Sequence, residues 1–149
     1  MTVRERRPAG KSDLDWILLF AAWMIALLAT AGSLFFSYVM EFAPCVLCWY
    51  QRICLFPLVV ILARGLLPFD RGAVRYGLPL AILGWFVAVY HNLVYAGVVP
   101  ESLQPCAKGV SCMEEYISLF GLLSIPSLSV IAFTMLVAIL FTLQRRASP

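Results

Sequence analysis

Four long stretches of the chain carry almost no charge. Trp16 to Met40 contains no Asp, Glu, Lys or Arg, and between Glu41 and Arg64 the single charge is Arg52. Tyr76 to Pro100 has none and holds only His91, and Tyr116 to Gln144 has none. About 20 apolar residues are enough to span a bilayer. Backbone polar groups in lipid must be satisfied within the segment, so runs of this kind form helices. None of the runs has the alternation of a barrel strand. The pattern predicts four transmembrane helices at about 14–40, 45–67, 74–98 and 116–143. The expected fold class is all-α: an integral membrane four-helix bundle forming a single domain over residues 1–149.

Composition agrees. Of the 149 residues, 62% are hydrophobic and 13% charged, with a mean hydropathy of +0.91. A soluble domain is about a quarter charged, so the lipid bilayer is the expected surroundings. The first segment has features of a cleavable signal, with a basic leader (Arg4, Arg6, Arg7, Lys11) and Ala29-Thr30-Ala31 as a possible cleavage site. Its apolar run continues from Leu14 through Val39, well past a signal core, so a retained helix is expected.

Lys and Arg set the orientation. Nine of the eleven fall in the leader, between the second and third segments (Arg64, Arg71, Arg75) and in the tail (Arg145, Arg146). Lys108 stands alone on the other side, and Arg52 lies inside the membrane edge. Both termini are thus expected in the cytoplasm, with a turn at 42–44 and a loop at 99–115 facing outward. The net charge of +3 follows from this topology and gives no reason to expect a nucleic-acid partner.

The five cysteines add chemistry. Cys45 and Cys48 form a Cys-x-x-Cys, Cys106 and Cys112 lie in the outward loop, and Cys54 lies in the second segment. An extracytoplasmic compartment permits disulfides. Bridges across two and five residues close loops too short to act mainly as staples, and short or strained disulfides tend to be the labile, catalytic ones. Redox-active pairs are expected, with static disulfides as the alternative. A four-thiolate zinc site is disfavoured because the second spacing is wide for one, so no metal is expected. Cys54 has no partner nearby in sequence and reads as packing.

Pro44 suits the first turn of a helix, which places both cysteines where the helix dipole favours a thiolate. Arg52 follows Cys48 by four residues, about 6 Å deeper on the same side. An arginine there must be paired, hydrated or snorkelling to the headgroups. The functional reading gives it a thiolate to stabilise and an acceptor oxygen to polarise. Gln51 could add a hydrogen bond, and His91, about two turns from the end of the third segment, could reach the layer of Arg52. Trp49, Tyr50, Trp85 and Tyr90 read as interface or packing residues. Turnover needs an electron sink. No haem, flavin or iron–sulfur motif is present, so a quinone dissolved in the bilayer is the natural acceptor.

Pro44-Cys45-Val46-Leu47-Cys48-Trp49-Tyr50-Gln51-Arg52 resembles the signature of the disulfide bond formation protein B (DsbB) family. The short second pair, Pro105-Cys106 to Cys112, with Tyr116 to Gly121 running into Ile125-Pro126, is similar to its BdbC-like branch. The resemblance covers roughly residues 14–143. It implies a four-helix protein of the bacterial cell membrane that reoxidises a DsbA- or BdbD-like thioredoxin-fold dithiol oxidase and reduces ubiquinone or menaquinone. By position it implies catalytic roles for Cys45, Cys48, Cys106 and Cys112. Cys48 would face the quinone and Cys106 would be the target of the partner's thiol. Arg52 would be the quinone-binding arginine, and His91 falls where the family can have a histidine; with Gln51, which could add a hydrogen bond, these are the expected quinone-site residues. A vitamin K epoxide reductase-like protein is the enzyme alternative, but its Cys-x-x-Cys lies late in the chain, whereas here it opens the second helix. A non-catalytic membrane subunit with static disulfides is the other.

Overall fold

Charge-free runs leave their amides no partner but their own carbonyls, and the computed structural model has four helices: α1 (Ala9–Tyr38), α2 (Val46–Leu66), α3 (Gly72–Tyr95) and α4 (Ile125–Ala147). It describes residues 9–103, 105 and 124–147. A 3-10 turn at Glu101–Leu103 follows α3, and no strand occurs among the described residues. All four helices contain a segment long and apolar enough to cross a membrane.

The ends differ from those read off hydropathy. α1 starts at Ala9 rather than 14, and α4 runs to Ala147 rather than 143. Helical hydrogen bonding does not stop where polarity begins, and Arg145 and Arg146 in the last turn of α4 complement its dipole. α2 begins at Val46, so Pro44 precedes the helix rather than opening it. α3 starts at Gly72, whose N–H donates to the Asp70 carboxylate at 2.8 Å. It stops at Tyr95, short of 98, and two residues later Gly97 takes φ +73, a conformation that suits glycine. The expected start of the fourth helix, 116–123, lies outside the described residues.

α1 packs on α2 and α4, and α3 packs on the same two, so the helices form a ring of four. Buried positions recur at helical steps: Asp15, Leu19, Ala22 and Ala26 on α1, and Phe133, Leu136, Leu140 and Leu143 on α4. On α3 the middle of the buried stripe is small, Gly77, Ala81, Gly84 and Ala88, and it continues through His91 to Val94. Small residues let helices approach closely in lipid. At Gly84 the approach is tight enough that an added Cβ would collide with the Phe133 ring. The stripe draws α3 in and sets His91 on the inner face.

At the end where α1 begins, the buried Asp15 accepts from Arg71 Nη2 at 2.9 Å and from Arg146 Nε at 2.7 Å. One carboxylate ties α1 to the start of α3 and the end of α4. The cysteine motif lies at the opposite end, where α1 ends and α2 begins.

Candidate functional site at the start of the second helix

Cys45 is the N-cap of α2, with φ −70 and ψ 169, and its sulfur accepts from the Cys48 backbone N–H at 3.4 Å. The sulfur does what a serine oxygen does at an N-cap. The two sulfurs of the motif lie 3.0 Å apart. Cys45, Cys48 and Cys54 are all free thiols.

His91 arrives from α3. Its Nε2 lies 3.7 Å from the Cys45 sulfur, and its Nδ1 lies 3.3 Å from Gln51 Nε2. With the Gln51 amide donating to Nδ1, the ring proton sits on Nε2 and points at Cys45. The Cys48 thiol hydrogen-bonded to the Cys45 sulfur lowers the Cys45 pKa from an ordinary 9.0 to about 4. Burial opposes this, while His91 and the Cys48 backbone N–H reinforce it. The thiolate therefore resides on Cys45, with Cys48 as donor.

Arg52 is 6% exposed and does not snorkel. Its Nε donates to Ser33 Oγ at 2.8 Å, and its Nη2 donates to the Ser33 carbonyl at 2.8 Å and to Ser37 Oγ. The Trp49 ring lies under the guanidinium, 5.3 Å from Cζ to centroid. Ser33 and Ser37 were not singled out from the sequence. The signal was available: two serines four apart on one face of a charge-free helix, beside a helix with an unpaired arginine. Trp49, which reads from the sequence as an interface or packing residue, carries the guanidinium on its ring.

These groups border a cavity of about 470 Å³ enclosed mainly by α1, α2 and α4. Gly32, Ser33, Phe36 and Ser37 line one side, and Ser129, Ala132 and Phe133 another. Cys45, Cys48, Gln51, Arg52 and His91 also line it. The volume falls in the range of small-molecule sites, about 300–1,000 Å³, where apolar walls carry a few convergent polar groups. At Gly32 an added Cβ would meet nothing within 4 Å, so the space there is open.

The structure thus brings Cys45, Cys48, Gln51, Arg52 and His91 around one cavity. His91 reaches Cys45 and Gln51 rather than the guanidinium. Cys54 is buried in the apolar core with Leu55 and Leu58. Cys106 and Cys112 lie outside the described residues.

The family described as disulfide bond formation protein DsbB matches residues 14–143. The chain belongs to the DsbB family. Among similar proteins, a "Probable disulfide formation protein" of Metapseudomonas resinovorans is 43% identical over 139 residues, covering 93% of this chain and 96% of that one. "Disulfide bond formation protein C" of Bacillus subtilis (strain 168) is 40% identical over 132 residues, covering 89% and 96%. No solved structure gives a significant match. DsbB membership and four helices of spanning length make this a multi-pass membrane protein of disulfide formation. Its Cys-x-x-Cys opens the second of the four helices.

Proposed function

We propose that the protein reoxidises an extracytoplasmic DsbA- or BdbD-like thioredoxin-fold dithiol oxidase and passes the electrons to ubiquinone or menaquinone in the membrane. The observation that carries this reading is the cavity in which a close dithiol, a buried histidine and a buried arginine converge. Its volume and apolar walls fit a quinone headgroup, and Gln51, Arg52 and His91 among its lining are polar groups able to meet a carbonyl. A bound quinone would supply the sink for the two electrons as the pair closes to a disulfide, with one proton coming from the pair and the second from solvent.

The chain's own residues divide the work. Arg52 spends Nε and Nη2 on α1, which leaves Nη1 for an acceptor oxygen in the cavity. Cys48 is the more exposed of the pair and lies one turn from Arg52, so it faces the acceptor. Before its sulfur can react it passes its proton across 3.0 Å to Cys45, next to the His91 imidazole. Gln51 holds the ring in place through Nδ1. A thiolate stabilised on Cys45 favours the reduced pair, which makes the disulfide a stronger oxidant of the next thiols.

Cys106 and Cys112 form the second pair in this proposal. They exchange with Cys45/Cys48 through mixed disulfides, and Cys106 receives the partner's thiol. The proposal sets both termini in the cytoplasm and the cysteine pairs outside the bacterial inner membrane, in one membrane domain. Arg52→Ala tests the acceptor site: the apparent quinone KM should rise by at least tenfold, and an unchanged value would remove Arg52 from the proposal.

A further inference from the structure

We propose that the reduced Cys45–Cys48 pair and His91 form a binding site for one thiophilic divalent cation of the zinc type. The ligand set is two sulfurs and one imidazole nitrogen. Sγ of Cys45, Sγ of Cys48 and a ring nitrogen of His91 all lie within 4.8 Å of one another. This set differs from the four-thiolate arrangement that the cysteine spacing disfavours, because its third ligand comes from another helix.

The geometry is close to what a zinc ion asks. Bonds of about 2.3 Å to sulfur and about 2.0–2.1 Å to nitrogen at tetrahedral angles place sulfur and nitrogen about 3.6 Å apart and two sulfurs about 3.8 Å apart. Cys45 Sγ and His91 Nε2 are 3.7 Å apart. The sulfurs are 3.0 Å apart and must open by roughly 0.8 Å to reach that edge. Cys48 is only half-buried and borders the cavity, so its side chain has room to turn.

Charge favours the site. Two thiolates cancel a divalent cation, and the neutral product avoids the cost of burying an ion at the membrane edge. The supporting contacts exist already. The Cys48 N–H reaches the Cys45 sulfur, and the Gln51 amide sits on His91 Nδ1. With that amide turned over, its oxygen accepts from Nδ1–H and Nε2 becomes free to ligate, the usual arrangement behind a metal-bound histidine. All three ligand residues line the cavity, which leaves room there for a fourth ligand such as water. Cys45 is already a thiolate, so binding releases the one remaining thiol proton, that of Cys48, to solvent and moves no electron.

A bound cation holds the pair as the dithiol and stops the electron relay. That consequence rests on the proposed function, whereas the binding does not.

The test uses the full chain in detergent with Cys106→Ser and Cys112→Ser, reduced, without quinone or partner, and Cd²⁺ as the probe. One Cd²⁺ per chain should bind, with sulfur-to-metal charge-transfer absorption rising to equivalence and Zn²⁺ competing. Cys45 and Cys48 should be protected from alkylation while the rate at Cys54 stays unchanged. His91→Ala and His91→Gln should each weaken binding by at least about tenfold, the low end of what losing even an outer-shell partner costs. Oxidised protein should bind none. Three results would overturn the site: no charge-transfer band, a band that survives Cys45→Ser, or an affinity that neither His91 variant moves. Equilibrium binding is read without turnover, so failure of the relay and failure of the metal site are separate outcomes.

Discussion

Arg52 Nε donates to the Ser33 hydroxyl at 2.8 Å, so the one charge in the first half of α2 is held by a serine of α1. A buried guanidinium with three acceptors on one neighbour points in a fixed direction. Ser33 and Ser37 are therefore positioning residues. Hydrogen bonds to charged groups contribute about 1.5–3 kcal/mol each. The Ser33→Ala/Ser37→Ala double variant should raise the apparent quinone KM by about tenfold, equivalent to about 1.4 kcal/mol. In an Arg52→Lys background the same two changes should have a much smaller effect. Additive losses in the two backgrounds would mean that the serines do not act through Arg52.

The low pKa of Cys45 fixes a pH dependence. A thiol with its pKa lowered to about 4 remains a thiolate through neutrality. Alkylation of Cys45 in the reduced protein should be nearly flat between about pH 6 and 8, where a thiol with the ordinary pKa of 9.0 changes steeply. The same shift stabilises the reduced fold. Its contribution is fully present above the ordinary value of 9.0 and declines as the pH falls towards about 4. Mass spectrometry of timed alkylation reads the first effect. A tenfold rise in rate per pH unit across that window would contradict the assignment.

Gly32 gives a steric test with little folding cost. Its Cβ position faces open cavity. Gly32→Ala should fold normally and gain slightly from replacing glycine within a helix, by up to about 1 kcal/mol. Gly32→Phe should fill part of the cavity and lower apparent quinone affinity by tenfold or more. Both variants keep all five cysteines, so thiol counts control for damage to the site. Unchanged affinity in Gly32→Phe would mean that the acceptor binds elsewhere.

Asp15 carries the other end of the bundle. Asp15→Asn leaves Arg71 and Arg146 without their shared carboxylate. Removing one member of a buried ion pair costs about 3–5 kcal/mol, and here both arginines are about a third exposed. A loss of about 2 kcal/mol is expected, seen as a lower Tm in detergent. Quinone affinity should stay unchanged, since Asp15 lies at the end away from the cysteines.

Much of the fold was legible because lipid imposes a simple rule: a charge-free run long enough to span must be helical. The rule locates the part of a helix inside the bilayer, so it missed the polar ends of α1 and α4. The site was legible in part. Cys45, Cys48 and Arg52 stand together in sequence because one turn of helix carries them. His91 could be placed only by depth, since its contact with Cys45 depends on how closely the small-residue stripe of α3 approaches its neighbours. Ser33 and Ser37 carry no distinctive motif. Their role follows from the need of a buried arginine for acceptors, which becomes specific once α1 is placed beside α2.

The electron relay is tested most directly by mixing the reduced full-length protein carrying Cys106→Ser and Cys112→Ser, in detergent, with a quinone analogue under anaerobic conditions and counting both products. The account predicts one quinol formed per Cys45–Cys48 disulfide, with the bridge located by mass spectrometry after thiol trapping, and no quinol from Cys48→Ser. Quinol formation that persists in Cys48→Ser, or a pair that stays reduced in excess quinone, would contradict it.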